Sequence, residues 1–183
     1  MLDAAARETL LTLARESLRA ALEQGTLAAF PWREYSSALL AWRSTFVTLS
    51  SAGRLRGCCG RLEADRTLVE DVWENAFASG FRDPRFEALR PHEWLDLEVE
   101  ISVLTAPERL DVRSTPELLA ELVPQRHGLI LGRGVERVTF IPHVWDSIPD
   151  AASFVRHLRE KAGWPAEGWE SDLQAWRFEA ESF

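Results

Sequence analysis

The sequence predicts an α+β fold built on a largely antiparallel sheet, and three observations predict it. A β-hairpin followed by a capped helix occurs twice, at 46–79 and again at 128–162. Between them, Leu97-Glu-Val-Glu-Ile-Ser-Val-Leu104 alternates apolar and polar residues without interruption, the pattern of a half-buried strand. No glycine-rich phosphate loop joins a strand to a helix, so a dinucleotide-binding or P-loop architecture is rejected. Recurrence of the hairpin–helix unit suggests an internal duplication.

Each element has a local reason. Asp3 to Gln24 reads as an amphipathic helix, because Leu10, Leu11, Ala14, Leu18, Ala21 and Leu22 recur at helical spacing and Gly25 supplies the stop. Phe30-Pro31-Trp32 opens an irregular passage, and the type of Ala38 to Thr45 stays open. Phe46 to Leu62 forms the first hairpin across Ser51-Ala52-Gly53. Thr67-Leu-Val-Glu70 is a capping box, with Leu68, Val69, Val72, Trp73, Ala76 and Phe77 as the apolar stripe behind it. Asp83-Pro84-Arg85-Phe86 is a turn with proline preset at its second position, and Pro91 to Leu95 is one further helical turn. After the strand at 97–104, Thr115 is expected to cap a helix that has Pro116 at its first position and stops before Pro124. Gly128 to Leu131 pairs with Val135 to Ile141 across Gly132-Arg-Gly134. Ser147 to Asp150 caps a helix through Val155 and Leu158, ended by Gly163, and Leu173 to Glu181 alternates as a last strand.

Composition bounds the functional classes. A chain of 183 residues supports one domain, or two small lobes sharing a core. No apolar run is long enough to cross a bilayer, and the first residues lack the basic segment and apolar core of a signal peptide. Two adjacent cysteines make no disulfide framework, so a reducing cytoplasm is the expected compartment. The net charge of −8 argues against general affinity for nucleic acid phosphates.

The chemistry-bearing stretch is Arg54-Leu-Arg-Gly-Cys-Cys-Gly-Arg-Leu62, the one place where thiols occur. Read as a regular strand, it puts Leu55, Gly57 and Cys59 on one face and Arg54, Arg56, Cys58 and Gly60 on the other. Leu55 and Cys59 suit a packed face. Cys58 then shares its face with guanidinium groups, which favour a thiolate, while Gly57 and Gly60 let a ligand or another backbone approach closely; the alternative is that the two glycines merely allow a bulge and both cysteines pack as small hydrophobes. A strand at 97–104 beside this one would set Glu98 and Glu100 against Arg54 and Arg56, as an ion-pair ladder or as part of a polar site with Cys58. Arg85 either binds an anion or fixes the turn geometry. A nucleophilic cysteine needs a base, and His127 and His143 are the candidates; His92 and His157 read as surface residues. Adjacent cysteines in a strand point apart and no Cys-x-x-Cys or His-x-x-x-His spacing occurs, so neither a metal site nor a cofactor is expected.

Several of these segments carry a resemblance. Leu55-Arg56-Gly57-Cys58-Cys59-Gly60, Asp83-Pro84-Arg85-Phe86, Leu97 to Leu104, His127-Gly128-Leu129-Ile130 and, more loosely, Ile141-Pro142-His143-Val144-Trp145 resemble motifs of the AMMECR-type domain, called in bacteria AmmeMemoRadiSam system protein A. The resemblance implies one domain over 1–183, a barrel-like sheet, and two lobes (about 46–104 and 128–183) sharing one core with a cleft between them. The family usually has isoleucine at the position of Cys59 and glutamine at that of His143, which supports Cys59 as the core-facing thiol. It implies a Memo-like protein and a radical-SAM protein as partners, and names no reaction. The expected function is a cytoplasmic accessory or ligand-binding protein whose site contains Arg56, Gly57, Cys58, Gly60, Arg85, Glu98 and Glu100. The alternatives are an enzyme with Cys58 as nucleophile on a small molecule and, more weakly, an RNA- or nucleotide-binding protein.

Overall fold

The computed structural model describes residues 1–183. Its order is α1 (Ala4–Gln24), β1 (Thr45–Ser51), β2 (Arg54–Gly60), α2 (Leu68–Phe81), β3 (Leu97–Leu104), β4 (Glu108–Leu110), α3 (Thr115–Glu121), β5 (His127–Arg133), β6 (Glu136–Phe140), α4 (Ala151–Lys161) and β7 (Gln174–Ser182). Helices and strands mix as the α+β reading requires, and every pairing named below is antiparallel. The chain divides into two compact units, one of 1–104 with 181–183 and one of 105–180.

In the first unit β1 lies between β2 and β3. Val47, Leu49, Ile101 and Val103 face Leu10, Leu13 and Leu18 of α1 and Val69, Val72 and Ala76 of α2 in a single cluster. Helix α1 starts where Asp3 accepts the Ala6 N–H and ends at Gly25 in the left-handed region, φ 73°. Thr67 and Glu70 form the expected capping box of α2. The start of β1 is tied to α2 by the buried Asp71, which accepts from the Thr45 N–H at 2.7 Å, the Thr45 hydroxyl at 2.6 Å and Asn75 at 2.8 Å. Phe183 bonds both ways with Ile101 of β3.

In the second unit β7 pairs with β5 on one side and with the short β4 on the other, and β5 pairs with β6. Leu118, Leu129, Leu131, Trp145, Phe154, Leu158 and Ala175 belong to its core, where Trp145 stacks on Phe154 with ring centroids 3.7 Å apart. Arg159 of α4 is buried at 1% exposure, its Nε donating to the Pro165 carbonyl at 2.5 Å and its Nη2 to Glu170 at 2.8 Å.

One local expectation changes, one open segment is settled, and two short elements are added. Ser114, not Thr115, caps α3, since its side chain accepts from the Glu117 N–H and Thr115 is already helical. Residues 37–39 form a turn, the chain bends at 40 and 41, and Trp42 makes an isolated bridge to Thr67. Glu108–Leu110 and the 3-10 turn Pro142–Asp146 carried no periodic signal, because three to five residues are too few to show one.

Candidate functional site

The glycine–cysteine stretch forms β2, and its register departs from regular alternation at one residue. Leu49 opposes Gly57 but Ser50 opposes Leu55, so Arg56 is the extra residue of a β-bulge. Beyond the bulge the faces invert. Leu55 therefore leaves the packed face that alternation gave it and stands 47% exposed, and Arg56 is not aligned in a row with Cys58.

Between the bulge and the strand end the expected faces hold. Cys59 opposes Val47, whose side chain is in the core, and Cys58 opposes Thr48 on the other side of the sheet. Burial, then the nearby Asp83 and Cys58, push the Cys59 thiol up, which disfavours its thiolate. The Cys58 sulfur is half-buried and takes a hydrogen bond from the Thr48 hydroxyl at 3.5 Å.

Strand β2 is an edge strand, so its outward backbone groups need partners. The turn after α2 supplies them. Asp83 accepts the Cys58 N–H at 2.9 Å, Arg85 reaches the Cys58 carbonyl at 3.4 Å, and Asp83 and Arg85 bind each other at 2.7 Å. From the helix side Ser79 accepts the Cys59 N–H at 2.8 Å and donates to the Val47 carbonyl at 2.7 Å. Of the two neighbours a glycine permits, ligand or backbone, backbone stands at both positions. A Cβ on Gly57 would overlap the Ser79 carbonyl, and one on Gly60 would overlap the Phe46 ring and the Thr45 carbonyl.

Arg56 turns toward the segment before β3. Its Nε donates to Glu93 at 2.5 Å and its Nη2 to the Glu87 carbonyl at 2.9 Å, with the Phe86 ring centroid 5.9 Å from the guanidinium. The Glu93 side chain, above all, raises the Arg56 pKa, and Arg56 holds Glu93 below the usual glutamate range. Arg56, Phe86, Glu87, Ala88, Arg90 and Glu93, with His92, line an open hollow of about 320 Å³.

Glu98 and Glu100 do not meet Arg54 and Arg56, because β3 pairs with β1 rather than β2. Glu98 instead opposes Ser50 and accepts from its hydroxyl at 3.1 Å, while Glu100 opposes Thr48. Cys58, Thr48 and Glu100 thus form one row across three strands on one face of the sheet. In the second unit His143 is exposed, with Nδ1 3.4 Å from Asp146. His127 is buried, and burial followed by the Arg177 charge lowers its pKa. Nowhere do three or more His, Cys, Asp or Glu side chains gather as metal ligands.

Sequence reasoning missed Asp83 as the anchor of Cys58 and Glu93 as the partner of Arg56. The Asp-Pro-Arg turn was visible as a turn, but its target lies 25 residues away.

The Asp83 anchor has a testable pH signature. The Arg85 side chain holds its carboxyl far below the ordinary range against the opposing effect of burial, helped by the N–H groups of Cys58 and Arg85. A depressed folded pKa contributes stability that is complete above the unfolded-state value, about 3.9, and is lost as pH falls toward the folded value. Wild type is therefore expected to exceed Asp83→Asn in urea stability at neutral pH, with the two curves converging between about pH 5 and pH 2. A gap that stays constant across that range would exclude the ionised anchor.

These features define an α+β protein of antiparallel strands whose bulged edge strand is clamped by a turn. A family model, AMMECR1, matches residues 11–183, and the chain belongs to the AMMECR1 family. It is 35% identical to a protein of Methanococcoides burtonii over 100% of this chain and 90% of that one. It is also 35% identical to Protein MK0488 of Methanopyrus kandleri, over 96% and 86% respectively. The crystal structure of uncharacterized protein PH0010 from Pyrococcus horikoshii superposes with a TM-score of 0.91 at 30% identity, covering 99% of this chain and 92% of that one. No helix is long and apolar enough to cross a membrane.

Proposed function

We propose that this protein is a cytoplasmic accessory or ligand-binding component that acts with a Memo-like protein and a radical-SAM protein through the face around Arg56. One observation carries the reading. The Arg56 guanidinium is fixed by Glu93 and the Glu87 carbonyl at the wall of an open hollow. A long cation already held in one rotamer binds without the entropy cost of ordering it. The charges there are matched, Arg56 to Glu93 and Arg90 to Glu87, so the hollow suits recognition better than proton transfer. The resemblance to AmmeMemoRadiSam system protein A supplies the class of partner.

Co-expression of the tagged chain with the Memo-like and radical-SAM proteins of its own genome is the test. A complex is expected that Arg56→Ala weakens and that Arg54→Ala, on the same strand but exposed, leaves intact. Failure to recover any complex, with no change in either partner's activity, would remove the reading.

One observation favours a second reading, an enzyme with Cys58 as nucleophile. Its thiol shares the row with Thr48 and Glu100, whereas Cys59 is turned to the core. Iodoacetamide labelling of a Cys59→Ala variant separates the two. Labelling of Cys58 that outpaces free cysteine at neutral pH supports the nucleophile, and labelling no faster than free cysteine counts against it.

A further inference from the structure

The second unit carries two arginines that the proposed function leaves unused. Arg137 of β6 lies against Trp176 of β7, its guanidinium carbon 4.7 Å from the ring centroid. Gly132 of β5, which opposes Arg137 on one side and Gln174 on the other, makes this crossing possible. A Cβ there would stand 3.0 Å from the Trp176 ring and 3.5 Å from Arg137 Cγ. On the far side of Trp176, Arg109 opposes it directly in the β4–β7 pairing. Directly opposed residues of an antiparallel pair share a face, so both arginines stand on the Trp176 face.

Neither guanidinium makes a hydrogen bond or an ion pair. Arg126, Arg133, Arg159 and Arg177 of the same unit are each committed to a carboxylate. The strands explain the difference. Alternation puts Arg109, Gly132, Arg137, Gln174 and Trp176 on one face, and Glu108, Glu136 and Glu179 on the other. In a chain of net charge −8, this face thus has two cations and no carboxylate along its strands. Stacking on an aromatic ring orients a guanidinium without consuming its N–H donors. Arg109, Arg137 and Gln174 are all exposed, so those donors are open to a ligand.

We propose that Arg109 and Arg137 bind the phosphate group of a small phosphomonoester. Their two uncompensated charges match the roughly −1.5 to −2 that such a group carries near pH 7. Its terminal oxygens are tetrahedrally disposed and accept a guanidinium from each of two sides, whereas a single planar carboxylate is filled by one bidentate fork. Arg137 is the fixed half of the pair. Because it already covers the ring, the indole orders the arginine instead of stacking on the ligand. Arg109, held by nothing, is free to close on the same group.

Titration of the full-length protein with glycerol 3-phosphate at constant ionic strength, followed by proton–nitrogen NMR of the arginine Nε–H groups, tests this. Saturable shifts are expected at Arg109 and Arg137, with no response to glycerol and a much weaker one to succinate. Arg109→Ala and Arg137→Ala are each expected to weaken binding about tenfold, the loss of one charge-assisted contact. Both variants keep the fold, since neither side chain makes a hydrogen bond or an ion pair. Arg156→Ala, an exposed position on α4, is expected to leave the affinity unchanged. Three results would overturn the proposal: no saturable shift at either arginine; succinate bound as tightly as glycerol 3-phosphate, which means attraction to charge without a phosphate site; or an equal loss in Arg156→Ala, which means a diffuse surface field.

Discussion

Arg159→Met is expected to lower the unfolding free energy by about 3–5 kcal/mol, the range for breaking a buried ion pair from one side. The guanidinium is 1% exposed and satisfies the Pro165 carbonyl, the Glu167 carbonyl and both oxygens of Glu170. Methionine fills much of the same volume but donates nothing. Two carbonyls and a largely covered carboxylate are then left short of donors, with Arg133 at 3.9 Å as the remaining cation beside Glu170. Urea unfolding measures the loss. Adding Glu170→Leu to Arg159→Met should recover part of it, because replacing both charges by apolar groups removes the unpaired one. A loss below about 1 kcal/mol for the single variant would show that Arg159 is far less committed than its burial implies.

Gly57→Ala is expected to cost about 3 kcal/mol, the upper end of the usual range for overpacking. The new methyl would enter the space of the Ser79 backbone carbonyl, which no rotamer change can relieve. Helix α2 cannot withdraw freely, because Ser79 also bridges the Cys59 N–H and the Val47 carbonyl. Gly134→Ala is the informative comparison. Its Cβ meets open space, and the penalty arises from its φ of 58° alone, about 1–2 kcal/mol. Equal losses for the two variants, by urea unfolding, would mean that helix–strand contact at Gly57 is looser than the geometry shows. Faster hydrogen exchange at the Cys59 amide in Gly57→Ala would localise the effect to this contact.

Much of the fold was legible because its signals are local. The capping box at Thr67, the stop at Gly25 and the alternation from Leu97 to Leu104 each rest on residues within one turn or one strand; the cap, the stop and the strand all appear in the structure, although 101–104 is buried on both faces. The candidate site was legible as a stretch but not as an arrangement. Alternation correctly sent Cys58 and Cys59 to opposite faces, yet it misplaced Leu55, because a bulge at Arg56 inverts the pattern; the adjacent Gly57 signals that a bulge is possible but not at which residue it falls. Pairing of Glu98 and Glu100 with the arginines failed for a similar reason. Strand composition does not specify which strand lies alongside, and β1 takes the place between them.

By itself the sequence determined the longer helices and strands, the antiparallel α+β class and the AMMECR family, since caps, periodicity and short motifs are read within a few residues. Only the tertiary structure decided who partners whom: Asp83 with the Cys58 amide, Glu93 with Arg56, Val123 with His127. Those contacts join residues separated by loops, or depend on which side chain a turn happens to aim. Their energies come from desolvation and hydrogen-bond geometry, which exist only once the chain has closed on itself.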